Sequence, residues 1–129
     1  TRYFAPGSAS AVAALGELQL GLTVCEDIWY EEKGYGLDPV GQMFAPGRPK
    51  PDLLVNISAS PYYHGKLGQR RKILSSLSRR HGLPLIYVNQ VGGQDSLIFD
   101  GHSMVVSHEG GRCSCAAGYA EEMLVVKTG

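Results

Sequence analysis

With 129 residues, 43% of them hydrophobic, the chain fits one domain with a real core. Twelve Lys and Arg balance twelve Asp and Glu, so neither a nucleic-acid nor an anionic-membrane partner is indicated, and a small neutral substrate fits. Three cysteines argue against a disulfide scaffold and for a reducing, cytoplasmic setting, apolar runs such as 53–57 and 83–88 are too short to span a bilayer, and no signal peptide opens the chain.

Residues 11–15 and 18–25 read as strands. In the second, Leu18, Leu20, Leu22 and Val24 alternate with Glu17, Gln19, Gly21 and Thr23, the period of two that a pleated strand imposes. Residues 30–51 are rich in Gly and Pro and predict a long loop with one short helix near 40–44; such loops in compact domains are functional or mobile. Residues 52–58 form an apolar run without alternation, the pattern of a strand covered on both faces. The clearest helix is 66–81: Leu67, Ile73, Leu74 and Leu77 share one face, Arg71, Lys72, Ser75 and Arg79 fall elsewhere, and Gly82 and Pro84 stop it. Another buried strand follows at 85–89, then a turn-rich stretch at 92–95 and strands near 96–99, 102–106 and 123–126. This order predicts an α/β fold, a mixed sheet with helices on an outer face.

Cys25 stands where an apolar strand ends, and strand ends in α/β sheets are where rigid elements hold side chains at the lip of a crevice. The adjacent Glu26 and Asp27 would disfavour the thiolate, so a nucleophilic role needs a nearby cation or base; taken alone, the position suits a structural cysteine. Spacing leaves a Cys25–His102 dyad open, although Val24 and Glu26 are bulkier than the neighbours of a nucleophile elbow. His81 ends the helix, where a cation would complement its dipole. Cys113 and Cys115 lack a second ligand pair, so no metal site is expected. Gly92-Gly93 and Gly110-Gly111 lack the Lys-Ser/Thr of a phosphate-binding loop.

Five blocks in order carry a resemblance: Val24-Cys25-Glu26-Asp27-Ile28-Trp29, Leu54-Val55-Asn56-Ile57-Ser58-Ala59-Ser60-Pro61-Tyr62, Gly65-Lys66, Tyr87-Val88-Asn89-Gln90-Val91-Gly92-Gly93-Gln94-Asp95, and Ile98-Phe99-Asp100-Gly101-His102-Ser103. Through them the chain resembles the carbon–nitrogen hydrolase (nitrilase) superfamily, and within it the glutaminase domain of glutamine-dependent NAD+ synthetases. The resemblance implies part of an α-β-β-α sandwich. It also implies that Cys25 attacks a carboxamide, most naturally that of glutamine, to form a thioester that water opens.

Glu26 matches a pocket acid suited to an α-ammonium group; Ser60 and Lys66 match positions lining the glutamine pocket. The plainer alternatives are a solvated carboxylate, a turn residue before Pro61 and a surface cation. Trp29 and Tyr62 are expected to pack. The family's catalytic Glu and Lys precede its Cys, whereas Lys33, Lys50 and Lys66 all follow Cys25, so the chain is expected to be catalytically incomplete alone. The missing initiator Met and an end at Val125-Val126-Lys127 suggest an internal piece, covering the later part of a hydrolase domain. The resemblance places ATP and Mg2+ in a downstream synthetase domain, with no cofactor in this chain, and implies a homo-oligomer. The rivals are a stand-alone amidase of the same superfamily and a non-catalytic assembly remnant. Without the upstream half, unpaired sheet edges and an exposed apolar face are expected, and so marginal stability or aggregation of the fragment alone.

Overall fold

The computed structural model describes residues 5, 7–34, 36–109 and 112–127. Strand β1 (Ala11–Leu15) turns back at Gly16 into β2 (Leu18–Val24), and the chain leaves β2 through a 3-10 turn (Cys25–Ile28) and a short helix α1 (Tyr30–Lys33). A second 3-10 turn, Gly41–Phe44, falls where the short helix near 40–44 was expected. Then follow β3 (Leu53–Ser58), helix α2 (Lys66–His81), β4 (Leu85–Asn89), the hairpin β5 (Val91–Gln94) and β6 (Leu97–Asp100), β7 (Met104–Val106) and β8 (Cys113–Cys115).

The main sheet has six strands in the order β1-β2-β3-β4-β7-β8. Its centre, β2-β3-β4, is parallel and its flanks are antiparallel, so the sheet is mixed, as the element order predicts. The parallel centre puts the C-terminal ends of β2, β3 and β4 on one edge.

Helix α2 covers one face. Ile73, Leu74 and Leu77 pack into a core with Leu54, Leu85, Tyr87, Met104 and Val106, joined by Ile28, Trp29, Val40 and Met43. Gly82, at φ 65°, closes the helix and donates its N–H to Ser78 O, a left-handed cap that a side chain would strain. Gly21 is needed for a different reason: a Cβ there would lie 2.8 Å from Leu54 Cδ2 and 2.9 Å from Met43 Sδ. Among the described residues no helix is long and apolar enough to cross a membrane.

Four expectations are corrected. Strand β3 is covered on one face only: Leu54, Asn56 and Ser58 are buried beneath α2, while Ile57 is 59% exposed. The same alternation applies to β4, where Val88 points to the bare side, and in β2 it is Gly21 and Thr23 that are buried while Leu22 and Val24 face out. The apolar run therefore marks a strand with two apolar faces, of which this chain covers one. Of residues 92–95, expected to be turn-rich, 92–94 belong to strand β5; the turn is confined to Asp95-Ser96, with Asp95 at φ 53°. Residues 123–126 make no strand, and Met123 and Val125 stand in solvent. Cys25 belongs to the turn after β2 and not to the strand.

Candidate active site

Cys25 begins the turn at the C-terminal end of β2 with φ 47°, a left-handed backbone that L-residues avoid. Two neighbours hold it there. The Asp27 carboxylate reaches back to accept the Val24 N–H at 2.8 Å, fixing the turn from one side. From the other, the fully buried Asn56 of β3 donates from Nδ2 to Thr23 Oγ1 at 3.0 Å and approaches the Cys25 carbonyl at 3.5 Å. Ser58 Oγ donates to Asn56 Oδ1 at 2.6 Å, and Thr23 Oγ1 donates to Val55 O at 3.0 Å, so every polar atom of the Asn56 side chain is engaged. Asp27 is thus a structural cap, and its position three residues after Val24 was the signal for it.

The core changes character towards this edge. Leu54, Leu85 and Val106 fill the middle of the helix-covered face, but Thr23, Asn56, Ser58, Ser60 and Asn89 line it near the strand ends, all buried. Buried polar groups must be paired, and here they pair with one another across strands. Asn89, last in β4, accepts the Ser60 N–H at 2.9 Å and donates to Gly101 O at 3.0 Å; its own N–H donates to Ser103 Oγ.

Beside it lies a buried ion pair that the sequence reading missed. Arg70 of α2 and Asp100 of β6 both have side chains with 0% exposure, and Arg70 Nη1 donates to both Asp100 oxygens at 2.8 Å. Arg70 Nη2 donates to Ser60 O at 2.8 Å, to Ser60 Oγ at 3.3 Å and to Pro61 O at 3.4 Å. Burial alone would raise the Asp100 carboxyl; its hydrogen bonds with His102 and Arg70 win and hold it below the ordinary carboxylate range. His102 Nδ1 lies 2.7 Å from Asp100 Oδ2. The ring rests on Gly118, where a Cβ would fall 2.2 Å from Nε2. His102 is therefore engaged by Asp100 and Gly118, and no contact with Cys25 is formed.

The expected site residues separate into two groups. Cys25 and Ser60 lie just past the ends of adjacent parallel strands, and Ser60 is clamped by Asn89 and Arg70. Lys66, first in α2, places Nζ 3.9 Å above the Trp29 ring centroid and 4.7 Å from that of Tyr63, so the start of α2 docks on the segment that follows Cys25. Trp29 is buried, as expected of a packing residue, whereas Tyr62 is partly exposed and meets Tyr119 edge-on at 6.0 Å. Glu26 turns outward, 44% exposed at its side chain, with Lys33 Nζ 3.8 Å away. A cavity of about 300 Å³ opens beyond the end of β4, lined in part by His102, Ser103, Glu121 and Glu122; Cys25 is not in its wall. Among the described residues no cluster of His, Cys, Asp and Glu is placed to hold a metal ion.

This arrangement has known counterparts. A glutamine-dependent NAD(+) synthetase from Synechocystis sp. is 42% identical over 114 residues, which are 84% of this chain and 20% of that protein. One from Thermotoga maritima is 37% identical over 125 residues, 97% of this chain and again 20% of the relative. The chain thus spans about a fifth of the length of these relatives. Among solved structures, a glutamine-dependent NAD+ synthetase from Acinetobacter baumannii, in complex with ADP, superposes with a TM-score of 0.77 at 36% identity over 94% of this chain and 21% of that one. A mutant amidase from Nesterenkonia sp. AN1, showing covalent addition of the acetamide moiety of fluoroacetamide at its active site cysteine, gives 0.67 at 26% identity over 91% of this chain and 42% of that one. Residues 1–128 match the model of the carbon-nitrogen hydrolase family, and the chain belongs to that family.

Proposed function

We propose that this chain carries the nucleophile of a glutamine amidohydrolase that supplies ammonia within a glutamine-dependent NAD+ synthetase. The observation that carries the proposal is Cys25 itself, held with φ 47° on a turn that presents it at the C-terminal edge of the parallel strands. The cysteine adduct of the Nesterenkonia amidase supports a covalent route.

In that route the Cys25 sulfur, as thiolate, bonds to the carboxamide carbon of glutamine. The tetrahedral intermediate collapses with cleavage of the C–N bond, a proton passes to the leaving nitrogen, and ammonia departs from a γ-glutamyl thioester. Water then adds to the thioester, giving glutamate and the free thiol. The general base and the lysine for the oxyanion are expected from a segment preceding residue 1. Glu26, Ser60 and Lys66 are proposed to line the pocket at the amino-acid end of the substrate. Lys66 would do so while lying on Trp29, an arrangement that leaves the ammonium its hydrogen-bond donors.

The ammonia would serve an ATP- and Mg2+-dependent synthetase domain that amidates deamido-NAD+, and no residue of this chain is assigned to hold those cofactors. A cytoplasmic setting accords with three free cysteines, Cys25, Cys113 and Cys115. The bare face of the sheet is proposed to pack on a second sheet of the same domain, completing the α-β-β-α sandwich, and the complete protein to be a homo-oligomer.

The test is Cys25→Ala in the complete protein. NAD+ formation from glutamine should be lost by several orders of magnitude, while formation from ammonium salts stays at the wild-type rate. Retention of the glutamine-dependent rate would remove Cys25 from the mechanism.

A further inference from the structure

We infer that Arg70 is a positioning residue for the loop beside Cys25, holding the main chain at Ser60 and Pro61 so that a substrate pocket is formed before substrate arrives. The inference deepens the glutaminase reading and rests on it.

Arg70 occupies the apolar stripe of α2, three residues after Leu67 and three before Ile73, where an aliphatic side chain would fill the space without desolvating a charge. Its two terminal nitrogens are spent in an uncommon way, while the buried Nε meets no hydrogen-bond partner among the described residues. A guanidinium that only neutralises a carboxylate meets it fork to fork through two nitrogens. Here Nη1 alone meets both Asp100 oxygens at 2.8 Å, which leaves Nη2 wholly to the loop: Ser60 O, Ser60 Oγ and Pro61 O.

Asn89 completes the clamp, taking the Ser60 N–H at 2.9 Å and reaching Ser60 O from Nδ2 at 3.4 Å. The N–H, the carbonyl and the hydroxyl of Ser60 are thus all bound by side chains of α2 and β4. Surface loops ordinarily give their backbone groups to water. This one gives them to buried residues.

The clamped loop is next to the nucleophile. Val24, which precedes Cys25, pairs with Ile57, and Ser60 lies three residues further on. At its other end the loop enters α2, whose Lys66 lies on Trp29, four residues after Cys25. Asp100 extends the support to His102 and, through it, to Gly118. A lysine at position 70 would keep the charge for Asp100 but has one nitrogen, which cannot also bridge to Ser60 and Pro61.

The experiment compares Arg70→Lys with wild type in the complete protein. KM for glutamine should rise about 10-fold or more while kcat falls less than about threefold, because small displacements of binding groups cost that much or more. Labelling of Cys25 by the chloromethyl ketone analogue of glutamine, which needs the pocket, should slow by a similar factor, and labelling by iodoacetamide, which does not, should stay within about twofold. An unchanged KM, or equal slowing with both reagents, overturns the inference. Asp100→Asn, which keeps an acceptor for Nη1, should show the same split in weaker form. If neither variant accumulates as folded protein, Arg70 is a core strut and the inference is overturned. If Cys25→Ala still hydrolyses glutamine, the glutaminase reading falls first and takes this one with it; if Cys25→Ala is dead and Arg70→Lys keeps the wild-type KM, only the role of Arg70 falls.

Discussion

Cys25 adopts φ 47° although only glycine does so freely, and a Cβ in that region costs about 1 to 2 kcal/mol. Such strain persists where surrounding groups over-determine the backbone. Here the Asp27 carboxylate and the Asn56 carboxamide do so, one holding the Val24 N–H and the other tied between Thr23 and Ser58. Two carboxylates following a cysteine in sequence look hostile to a thiolate. In the structure the Asp27 carboxylate accepts the Val24 N–H, and Glu26 lies 3.8 Å from Lys33 Nζ. The strain has a measurable consequence. Cys25→Gly and Cys25→Ala both lack the thiol, yet the glycine variant should be the more stable by about 1 kcal/mol in urea denaturation. Equal stabilities would mean that the turn is relaxed.

At the scale of elements, helix α2 was legible to the residue, because Leu67, Ile73, Leu74 and Leu77 set a helical period and Gly82 ends it. Arg70 was hidden in the same stripe: charge excludes a residue from an apolar pattern, and its partner Asp100 lies 30 positions away, where no local period reaches. Asn56 and Asn89 lie inside the motifs 54–62 and 87–95, but their role depends on cross-strand pairing. Strands β1 to β4, β6 and β7 were found, β5 and β8 were not, and the faces of β3 were misassigned, since a run of apolar residues reports what a strand is built to contact and not whether the contact lies in the same chain. His81 shows a further limit. Its place at the helix end suggests a cation on the dipole, but its ring stacks on Phe44 with centroids 4.4 Å apart. Burial, the leading cause, lowers its pKa below 6.5; Arg80 acts in the same direction and Asp38 against it. A depressed folded pKa means that the neutral ring is favoured: the stabilising effect is complete above the unfolded pKa near 6.5 and is lost as pH falls through the folded value. The complete protein should therefore lose stability on going from pH 7.5 to 5.5, and His81→Phe should lose less over that interval. Melting temperatures at the two pH values decide it, and parallel declines in both proteins would show that His81 contributes nothing.

For the whole molecule the question is what the sheet does with its second side. The register aligns Leu22, Val55, Ile86 and Val105 in one row and Val24, Ile57 and Val88 in the next, all on the face opposite α2. Val24 is 64% exposed and Ile57 59%, so the patch is contiguous and branched, unlike the scattered leucines of an ordinary surface. The same residues carry opposite demands in two settings. In this chain alone they face water, and a charge there relieves an aggregation hazard. Under a second sheet they form the centre of a sandwich, where the loss of a buried isoleucine costs about 2 to 5 kcal/mol and an unpaired lysine more. One substitution separates the two. Ile57→Lys should lower dye binding and light scattering of the 129-residue chain, and should lower the melting temperature of the complete protein by several degrees. Because Ile57 is on the opposite face from Asn56 and Ser58, the change leaves the hydrogen bonds beneath Cys25 in place. A complete protein that tolerates the lysine would show that no second layer covers this face.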